Sequence, residues 1–390
     1  MKWTNRGHQL DHVKSIYGEK TKIYIYGAGF YGADLYHRIN WLGNIDGFID
    51  RNVEKQQNGY LGEQVIAPER ILQKVDEEHI IIVAMEKKAA EQVMRLLRTA
   101  GYIKALDCFY IEDFLDFYTY QQYAFFAADK LMISSVCMIP STVCNLKCKD
   151  CLNFSPYFKK HIIHDFTFVK RDIDTLFRWI DYTPRFQVSG GEPLLNKDLG
   201  RTLAYLDENY RNRIESIETV INGSIVPGDE LCRLMKEHRI KVYLDDYREN
   251  VPQLRETYTQ TVEKLEKYGI EWIDNYVPEW FSLDVEHTEH SDMTDLQLEN
   301  YFDNCGSPWN CLENERLYSC NFAHFAAKAG IIEETENDYF DLKDYSEVRK
   351  TELLEFLLKY TTKGYVDFCK KCAGWSEANC NKVKVAEQIE

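Results

Sequence analysis

The sequence predicts an α/β fold with two parallel sheets, followed by a cysteine-rich region. Short apolar runs alternate with helical patterns in two separate series, residues 22–101 and 131–276, and such alternation is typical of parallel sheets covered by helices. Six of the twelve cysteines lie from Cys305 onward. These observations divide the chain into residues 1–115, a helical connector at 116–130, residues 131–300 and residues 301–390.

The composition is that of a globular protein with room for two or three domains. The chain has 390 residues, of which 45% are apolar and 28% are charged, and domains commonly span about 100–200 residues. No apolar run approaches the roughly 20 residues of a membrane span, and the first residues lack the apolar stretch of a signal peptide. We therefore expect a cytoplasmic protein without membrane contact.

The net charge and the number of cysteines restrict the classes of function that this chain can have. The formal net charge of −16 opposes the approach of phosphodiester backbones, which argues against nucleic-acid binding. Reducing compartments keep thiols free, so twelve cysteines in a cytoplasmic chain indicate metal or redox chemistry before disulfides.

The first series opens with a strand, a glycine-rich turn and a helix. The turn contains Gly27, Gly29 and Gly32, and a second apolar run ends at Asp50. This spacing is typical of nucleotide-binding units, in which the glycines admit a pyrophosphate and the acidic residue binds a ribose hydroxyl. The alternative is that the glycines only let strand and helix pack closely. Further strand and helix patterns over residues 79–101 predict a small parallel sheet.

This unit resembles the small Rossmann-like domains attached to sugar-modifying and polysaccharide-assembly enzymes. The connector at residues 116–130 is rich in aromatic residues. Such a stripe more often packs against a neighbouring core than binds a cofactor, so we assign it no chemistry.

The second series delivers a loop with three cysteines, Cys144, Cys148 and Cys151. Thiolates at i, i+4 and i+7 can hold three corners of a [4Fe–4S] cube, because sulfur ligands suit iron–sulfur clusters and one loop can curl over one face. The fourth iron is then open to the amino and carboxylate groups of a methionine moiety. A zinc knuckle is the alternative, but structural zinc usually takes four ligands in pairs, and no partner pair lies nearby.

The next predicted strand ends in a second motif, formed by Ser189, Gly190, Gly191, Glu192 and Pro193. Glycines let a backbone approach a ligand closely, and the Glu192 carboxylate can accept hydrogen bonds from a ligand ammonium. On its own this motif would be an ordinary turn after a strand. Its place behind the cysteine loop indicates a shared ligand.

Together the two motifs resemble those of the radical S-adenosylmethionine (SAM) superfamily, with the loop Cys144, Cys148 and Cys151 and the glycine-rich strand end as the matching parts. The resemblance covers about residues 130–385. It implies a partial (β/α)6 TIM-like barrel, a [4Fe–4S] cluster, bound S-adenosylmethionine and an external one-electron reductant such as flavodoxin or ferredoxin. Asp150 departs from the pattern, because the superfamily usually has an aromatic residue before the third cysteine, which leaves the adenine contact in question.

Polar residues also follow the later strands of this series. The carboxyl ends of parallel strands meet at one edge, where active groups gather. Asn222 and Ser224 can hydrogen-bond the ribose or carboxylate of S-adenosylmethionine, or form an ordinary Asn-Gly-Ser turn. Asp245 is our candidate to receive a substrate hydroxyl proton, with a plain strand-end acid as the alternative, and Asp246 is assigned to a solvated loop.

The last part of the chain carries six cysteines, Cys305, Cys311, Cys320, Cys369, Cys372 and Cys380. Cys311 with Cys320, and Cys369 with Cys372, form two ligand pairs that can close on one cluster, with Cys305 as an alternative to Cys311. A structural zinc ribbon is the other reading. The pattern resembles the SPASM or twitch extension, which implies one auxiliary [4Fe–4S] cluster; Glu315 stands where that extension commonly has glycine.

Three functional hypotheses follow from these motifs. The first is a radical SAM enzyme that dehydrogenates or epimerises a sugar, a sugar nucleotide or a related small metabolite, and it rests on both cysteine groups and the Rossmann-like unit. The second is a radical SAM enzyme that modifies a ribosomally made peptide. The third is a non-enzymatic regulator that binds a metal or a nucleotide.

Overall fold

The computed structural model describes residues 6–73, 78–306 and 309–389. The described chain divides into two compact units. The first unit is residues 8–132, and the second consists of the described parts of residues 1–7 and 133–390.

In chain order, the helices and strands of the first unit are α1 (Asp11–Tyr17), β1 (Lys22–Tyr26), α2 (Phe30–Ile39), β2 (Ile45–Ile49), α3 (Val53–Asn58), β3 (Val65–Ile66), α4 (Glu69–Leu72), β4 (His79–Val83), α5 (Lys87–Thr99), β5 (Cys108–Tyr110), α6 (Ile111–Phe114) and α7 (Thr119–Ala128). The strands form one parallel sheet in the order β3-β2-β1-β4-β5. Apolar side chains on the central strand are fully buried, for example Ile23 and Ile25. The predicted α/β architecture with a small parallel sheet is confirmed for this part of the chain.

The aromatic residues of the predicted connector lie mainly in α7, which belongs to the first unit and contacts α1. The Tyr120 hydroxyl donates a hydrogen bond to the Arg38 carbonyl at 3.0 Å. The ring of Tyr123 packs edge-on against Tyr17 with centroids 5.5 Å apart. The aromatic stripe therefore serves packing within this unit.

The helices and strands of the second unit are β6 (Val136–Met138), α8 (Phe166–Trp179), β7 (Thr183–Val188), α9 (Leu199–Tyr210), β8 (Ile214–Ile221), α10 (Asp229–Glu237), β9 (Lys241–Asp245), α11 (Arg255–Tyr268), β10 (Trp272–Asn275), β11 (Glu279–Phe281), α12 (Asp295–Asp303), β12 (Asn310–Glu313), β13 (Arg316–Tyr318), α13 (Asn321–Lys328), β14 (Tyr339–Asp341), α14 (Lys350–Leu357) and β15 (Lys382–Lys384).

The main sheet of this unit has the order β10-β9-β8-β7-β6-β12-β13-β14. Neighbouring strands from β10 to β12 in this order pair in parallel, and the hairpin strands β13 and β14 extend the sheet antiparallel. Five parallel strands thus follow one another along the chain, as the alternation predicted. The sixth parallel strand, β12, comes from the cysteine-rich region and pairs with the first strand of the series, β6.

The β12–β13 turn is anchored to a helix. Asn314 and Glu315 both have positive φ, 55° and 56°, a left-handed backbone that glycine adopts most easily. Their N–H groups donate to the buried Asp172 carboxylate of α8 at 2.6 and 3.0 Å. Glu315 therefore holds a conformation that glycine would adopt more easily.

Within the described ranges, no helix is both long enough and apolar enough to cross a membrane.

Candidate active site

The cysteine loop and the glycine-rich motif are held together by backbone hydrogen bonds beyond the ends of β6 and β7. The N–H of Ser189 donates to the Met138 carbonyl at 2.9 Å, and that of Gly191 donates to the Ser141 carbonyl at 2.9 Å. The N–H of Glu192 donates to the Val143 carbonyl at 2.8 Å. The glycine-rich motif therefore sets the backbone path that leads into Cys144.

The two glycines make this close approach possible. A Cβ atom at Gly191 would lie 2.4 Å from the Val143 carbonyl oxygen, and one at Gly190 would lie 2.9 Å from the Ser141 carbonyl oxygen. Both distances are shorter than side-chain carbon atoms tolerate. The sequence predicted close approach of this backbone to a ligand, whereas the structure shows close approach to the cysteine segment.

Glu192 fastens the same motif to the end of β8. Its side chain is 1% exposed, and its carboxylate accepts hydrogen bonds from the N–H groups of Leu194 and Asn222, each at 2.9 Å. Burial raises the pKa of Glu192 to about 7, against the two backbone hydrogen bonds that lower it. Both carboxylate oxygens are thus used to hold the backbone of the site.

The three thiols of the loop lie near one another. Burial, with a smaller contribution from charge on the neighbouring Cys151 thiol, raises the pKa of Cys144 to about 11 and that of Cys148 to about 12. A bound cation or cluster would favour the deprotonated form of such thiols. Three soft donors on one buried loop fit a [4Fe–4S] cluster with one open iron.

No three His, Cys, Asp or Glu side chains converge on a single-ion position in the parts of the chain that the structure describes. An iron–sulfur cube distributes its protein ligands over separate iron atoms, so a cluster loop does not require such convergence.

A polar group adjoins Cys144. The Asn222 amide Nδ2 lies 3.7 Å from the Cys144 Sγ and donates to Asn145 Oδ1 at 3.3 Å. The Ser224 N–H donates to Asn222 Oδ1 at 3.0 Å, and Asn145 Nδ2 donates to the Ser224 hydroxyl at 2.8 Å. The structure brings Asn222 and Ser224 to the cysteine loop, and it adds Asn145, whose position inside the loop was the available sequence signal.

Asp245 lies at the end of β9 and is held by two side chains. The Tyr247 hydroxyl donates to one carboxylate oxygen at 2.6 Å, and Asn275 Nδ2 donates to the other at 2.5 Å. Burial raises the pKa of Asp245 to about 6, although both hydrogen bonds lower it. A carboxyl group with this pKa can exchange a proton near neutral pH. Asp246 instead forms an ion pair with Arg248.

One cavity of about 540 Å³ joins these groups. Its lining includes the three loop cysteines, Ser189, Gly190, Gly191, Asn222, Asp245 and Tyr247. Its polar and aromatic lining is of the kind that binds small molecules, and its volume lies within the usual range of about 300–1,000 Å³ for such pockets.

Arg185 and Glu218 form a charged pair in the sheet beside this cavity, which Arg185 lines. The guanidinium donates two hydrogen bonds to the buried Glu218 carboxylate, at 3.0 and 2.8 Å, and it lies 4.5 Å from the ring centre of Trp309. Neither residue was a sequence candidate. Residues of opposite charge inside two predicted strands that follow each other along the chain were the signal that could have indicated them.

The structure groups Cys305, Cys320, Cys369 and Cys372. Burial raises the pKa of Cys369 well above its usual value, and charge on Cys320, Cys372 and Cys305 raises it further. Burial raises the pKa of Cys372 in the same way, with Cys320 and Cys305 among the neighbours that act on it. Cys320, Cys369 and Cys372 belong to one buried cluster, and Cys305 lies near enough to affect the pKa of Cys369 and Cys372.

Cys311 has a different neighbour. It lies in β12 directly opposite Cys137 of β6, and after burial Cys137 has the largest effect in raising its pKa. The sequence favoured Cys311 with Cys320 as a pair and held Cys305 as the alternative. Cys311 also lies near enough to Cys320 for that thiol to raise its pKa, so the choice between Cys305 and Cys311 stays a prediction, and Cys380 is exposed.

In the first unit, Gly27, Gly29, Gly32 and Asp50 lie at the carboxyl edge of β1 and β2. A Cβ at Gly32 would lie 1.9 Å from the Gly27 carbonyl oxygen, so this glycine is required for packing. A Cβ at Gly29 would meet no described atom within 4 Å. The Asp50 carboxylate accepts the N–H of Ala28 at 2.8 Å. A nucleotide site at this turn stays a prediction.

Comparison with known proteins bears on the second unit. Residues 138–278 match the family model described as the radical SAM superfamily. No match was found among the curated proteins.

Several solved structures are similar to the chain at low identity. Native anSMEcpe with bound AdoMet has 15% identity over 65% of this chain and 93% of that chain, with a TM-score of 0.38. BtrN in complex with AdoMet and 2-DOIA has 19% identity over 64% and 97%, with a TM-score of 0.39. Streptococcus suis SuiB bound to S-adenosylmethionine has 12% identity over 48% and 39%, with a TM-score of 0.29.

The family match covers the cysteine loop, the glycine-rich motif and the strands that carry Asn222 and Asp245. The resemblance stated from the two motifs is therefore confirmed. Membership implies a [4Fe–4S] cluster and S-adenosylmethionine as cofactors, and residues 138–278 of this chain are a domain of the radical SAM superfamily.

Proposed function

We propose that this protein is a radical SAM enzyme that removes a hydrogen atom from a sugar, a sugar nucleotide or a related small metabolite, in a dehydrogenation or an epimerisation. The observation that carries the proposal is that one cavity of about 540 Å³ is lined by the three loop thiols, by Asp245 and by Arg185. Polar hydrogen-bonding groups beside aromatic rings suit a polyhydroxylated ligand, because rings cover its apolar face while polar groups bind its hydroxyls.

When bound, the reduced cluster and S-adenosylmethionine supply one-electron cleavage to a 5′-deoxyadenosyl radical. We infer that Cys144, Cys148 and Cys151 hold the cluster. The cavity-facing backbone of Ser189, Gly190 and Gly191, with Pro193 ending the turn, orients the methionine part, and Asn222 and Ser224 orient the ribose or carboxylate. Glu192 keeps these elements in register through Leu194 and Asn222.

Asp245 is the proposed proton acceptor for a substrate hydroxyl. Its two hydrogen-bond donors, Tyr247 and Asn275, hold the carboxylate in one orientation beside the cavity. Arg185 presents N–H donors at a second wall while Glu218 balances its charge. This arrangement favours a substrate with several hydroxyl groups over a strongly charged one.

We further propose that Cys305, Cys320, Cys369 and Cys372 hold one auxiliary [4Fe–4S] cluster. Burial raises the pKa of the Cys369 and Cys372 thiols, which makes the thiolate forms that bind metal unfavourable without metal, and metal binding releases thiol protons. Such a cluster would accept the electron left on the substrate in a dehydrogenation, or would hold the substrate. External reduction by flavodoxin or ferredoxin belongs to the same proposal.

The main proposal is tested by Cys148→Ala. Loss of one of three ligands removes the geometry that leaves one iron open, so 5′-deoxyadenosine formation after anaerobic reconstitution and reduction should fall to background. Cys380→Ala is the matched control, because this thiol is exposed and lies outside both groups. Normal 5′-deoxyadenosine formation in the Cys148 variant contradicts the proposed cluster site.

The auxiliary cluster is tested by a matched pair of variants, Cys305→Ala and Cys311→Ala. The first should lower bound iron by about four atoms per chain, the content of one cube, while the second should leave iron unchanged. Iron analysis and absorbance of the reconstituted proteins measure the difference. Loss of iron in the Cys311 variant alone would return the ligand role to Cys311.

A further inference from the structure

The last described residues of the chain run along the cysteine loop. Residues 382–389, here called the strap, begin with β15, which pairs antiparallel with β11. The strap then pairs with the loop itself. The Lys149 N–H donates to the Glu387 carbonyl at 2.7 Å, and the Ile389 N–H donates to the Lys147 carbonyl at 2.8 Å.

The strap is packed onto the loop by apolar contacts as well. Val385 and Ala386 are 2% and 0% exposed. They share a buried cluster with Cys148, Val251 and Leu254. The strap is therefore packed against the cysteine loop by both hydrogen bonds and apolar contacts.

One strap side chain reaches a cluster ligand. Gln388 Nε2 donates to the Cys148 Sγ at 3.3 Å and to the Ala386 carbonyl at 2.7 Å. Gln388 Oε1 accepts the Lys147 N–H at 2.8 Å. Because a backbone N–H only donates and a carbonyl only accepts, these two backbone partners fix the orientation of the amide. The amide must therefore direct N–H toward the sulfur.

We propose that Gln388 is a positioning residue that raises the reduction potential of the cluster held by Cys144, Cys148 and Cys151, through its hydrogen bond to the Cys148 sulfur. This inference rests on the proposed function. Hydrogen bonds to the sulfur ligands and the net charge around a cluster are among the properties that set its potential. Reduction adds negative charge, and an N–H donor at a ligand sulfur stabilises that charge.

Two substitutions test the hydrogen bond from Gln388 to Cys148 separately from the bond between Gln388 and Lys147. Gln388→Glu keeps the side-chain length and the acceptor for Lys147, removes the N–H donor to Cys148 and Ala386, and adds negative charge. Gln388→Ala removes all three hydrogen bonds of the side chain. Glu387→Gln is the control, because Glu387 contributes its backbone carbonyl while its side chain is exposed.

The readout is the midpoint potential, measured by an EPR-monitored redox titration of the reconstituted protein. The signal that changes on addition of S-adenosylmethionine identifies the relevant cluster. We expect the potential to become more negative in Gln388→Ala and more negative still in Gln388→Glu, with Glu387→Gln equal to the parent. An unchanged potential in Gln388→Glu overturns the inference.

A second readout does not depend on a cluster. In iron-free protein, the Lys147 amide should exchange hydrogen faster in Gln388→Ala than in the parent, and should stay protected in Gln388→Glu and Glu387→Gln. Unchanged exchange in Gln388→Ala overturns the contact itself. If the parent protein forms no 5′-deoxyadenosine, the proposed function fails. If it forms 5′-deoxyadenosine and only the potentials are equal, this inference alone fails.

Discussion

Glu192 and Asn222 show how single side chains shape the site through the backbone. Each was a sequence candidate for direct contact with the ligand. In the structure, Glu192 binds two backbone N–H groups, and Asn222 reaches Cys144 and Asn145. Their shared hydrogen bond ties the turn after β7 to the end of β8. The residue types were readable from the motif, whereas their partners depended on how neighbouring strand ends meet.

The requirement for glycine at position 191 can be tested directly. Gly191→Ala places a Cβ against the Val143 carbonyl and should destabilise the fold by about 1–3 kcal/mol, the usual cost of overpacking. The displaced cysteine loop should also retain less iron. Urea unfolding and iron analysis measure both effects. Gly29→Ala is the control, and an equal loss of stability there would contradict the steric argument.

At the scale of an element, β12 and the turn that follows it join the cysteine-rich region to the main sheet of the second unit. The strand pairs with β6, and Asp172 of α8 holds the turn at Asn314 and Glu315. At the end of β12, the Glu313 carboxylate lies 2.8 Å from His164 Nε2, 3.2 Å from His324 Nε2 and 3.0 Å from Lys328 Nζ. A single strand end thus gathers polar and charged side chains from two other segments, the residue His164 before α8 and the helix α13.

This ionic group predicts a pH dependence of stability. Burial opposes the charge on Glu313, but the hydrogen bond with His164, the nearby His324 and the charge of Lys328 outweigh it and hold the pKa of Glu313 well below its usual value. The stabilisation is therefore present above the unfolded-state pKa of about 4.3 and is lost as the pH falls below it.

Glu313→Gln should lower the free energy of unfolding by up to about 3 kcal/mol at neutral pH, with some loss to solvent screening at Lys328. The difference between parent and variant should shrink as the pH falls from about 5 to about 3. Comparing both proteins at each pH cancels any shared acid loss of iron. Glu347→Gln, at an exposed pair with Lys350, is the control and should change little. A difference that is constant with pH would contradict the assignment.

At the scale of the whole molecule, every proposed cluster ligand lies in the second unit. The loop cysteines precede α8, and the auxiliary group spans Cys305 to Cys372, so metal would join segments that are far apart in the sequence. A ligand that closes such long loops stabilises the folded state, because it binds that state and not the unfolded chain.

Anaerobic removal of iron with a chelator should therefore destabilise the second unit and leave the stability of the first unit unchanged. Amide hydrogen exchange should rise around the cysteine loop and around Cys320 and Cys369, while exchange in β1 and β4 should stay as in the loaded protein. Mass spectrometry of the two samples measures both regions at once. An equal rise in β1 and β4 would show that the clusters stabilise the first unit as well.

The sequence by itself determined the α/β class, the two strand-and-helix series, the cysteine loop and the glycine-rich motif. These features depend on short-range periodicity and spacing, which are visible in any stretch of chain. The positions of Asp245 and Asn222 at the site could also be predicted from the sequence, because the carboxyl ends of parallel strands meet at one edge of the sheet.

Tertiary structure alone decided the origin of the sixth parallel strand in β12, the pair of Arg185 and Glu218, the position of Cys311 opposite Cys137, and the contact of Gln388 with Cys148. Each of these joins residues from different segments, and in the case of Gln388 the partner is 240 residues away. Local patterns carry no information on which distant segments pack together, because that choice is made by burial and pairing over the whole unit.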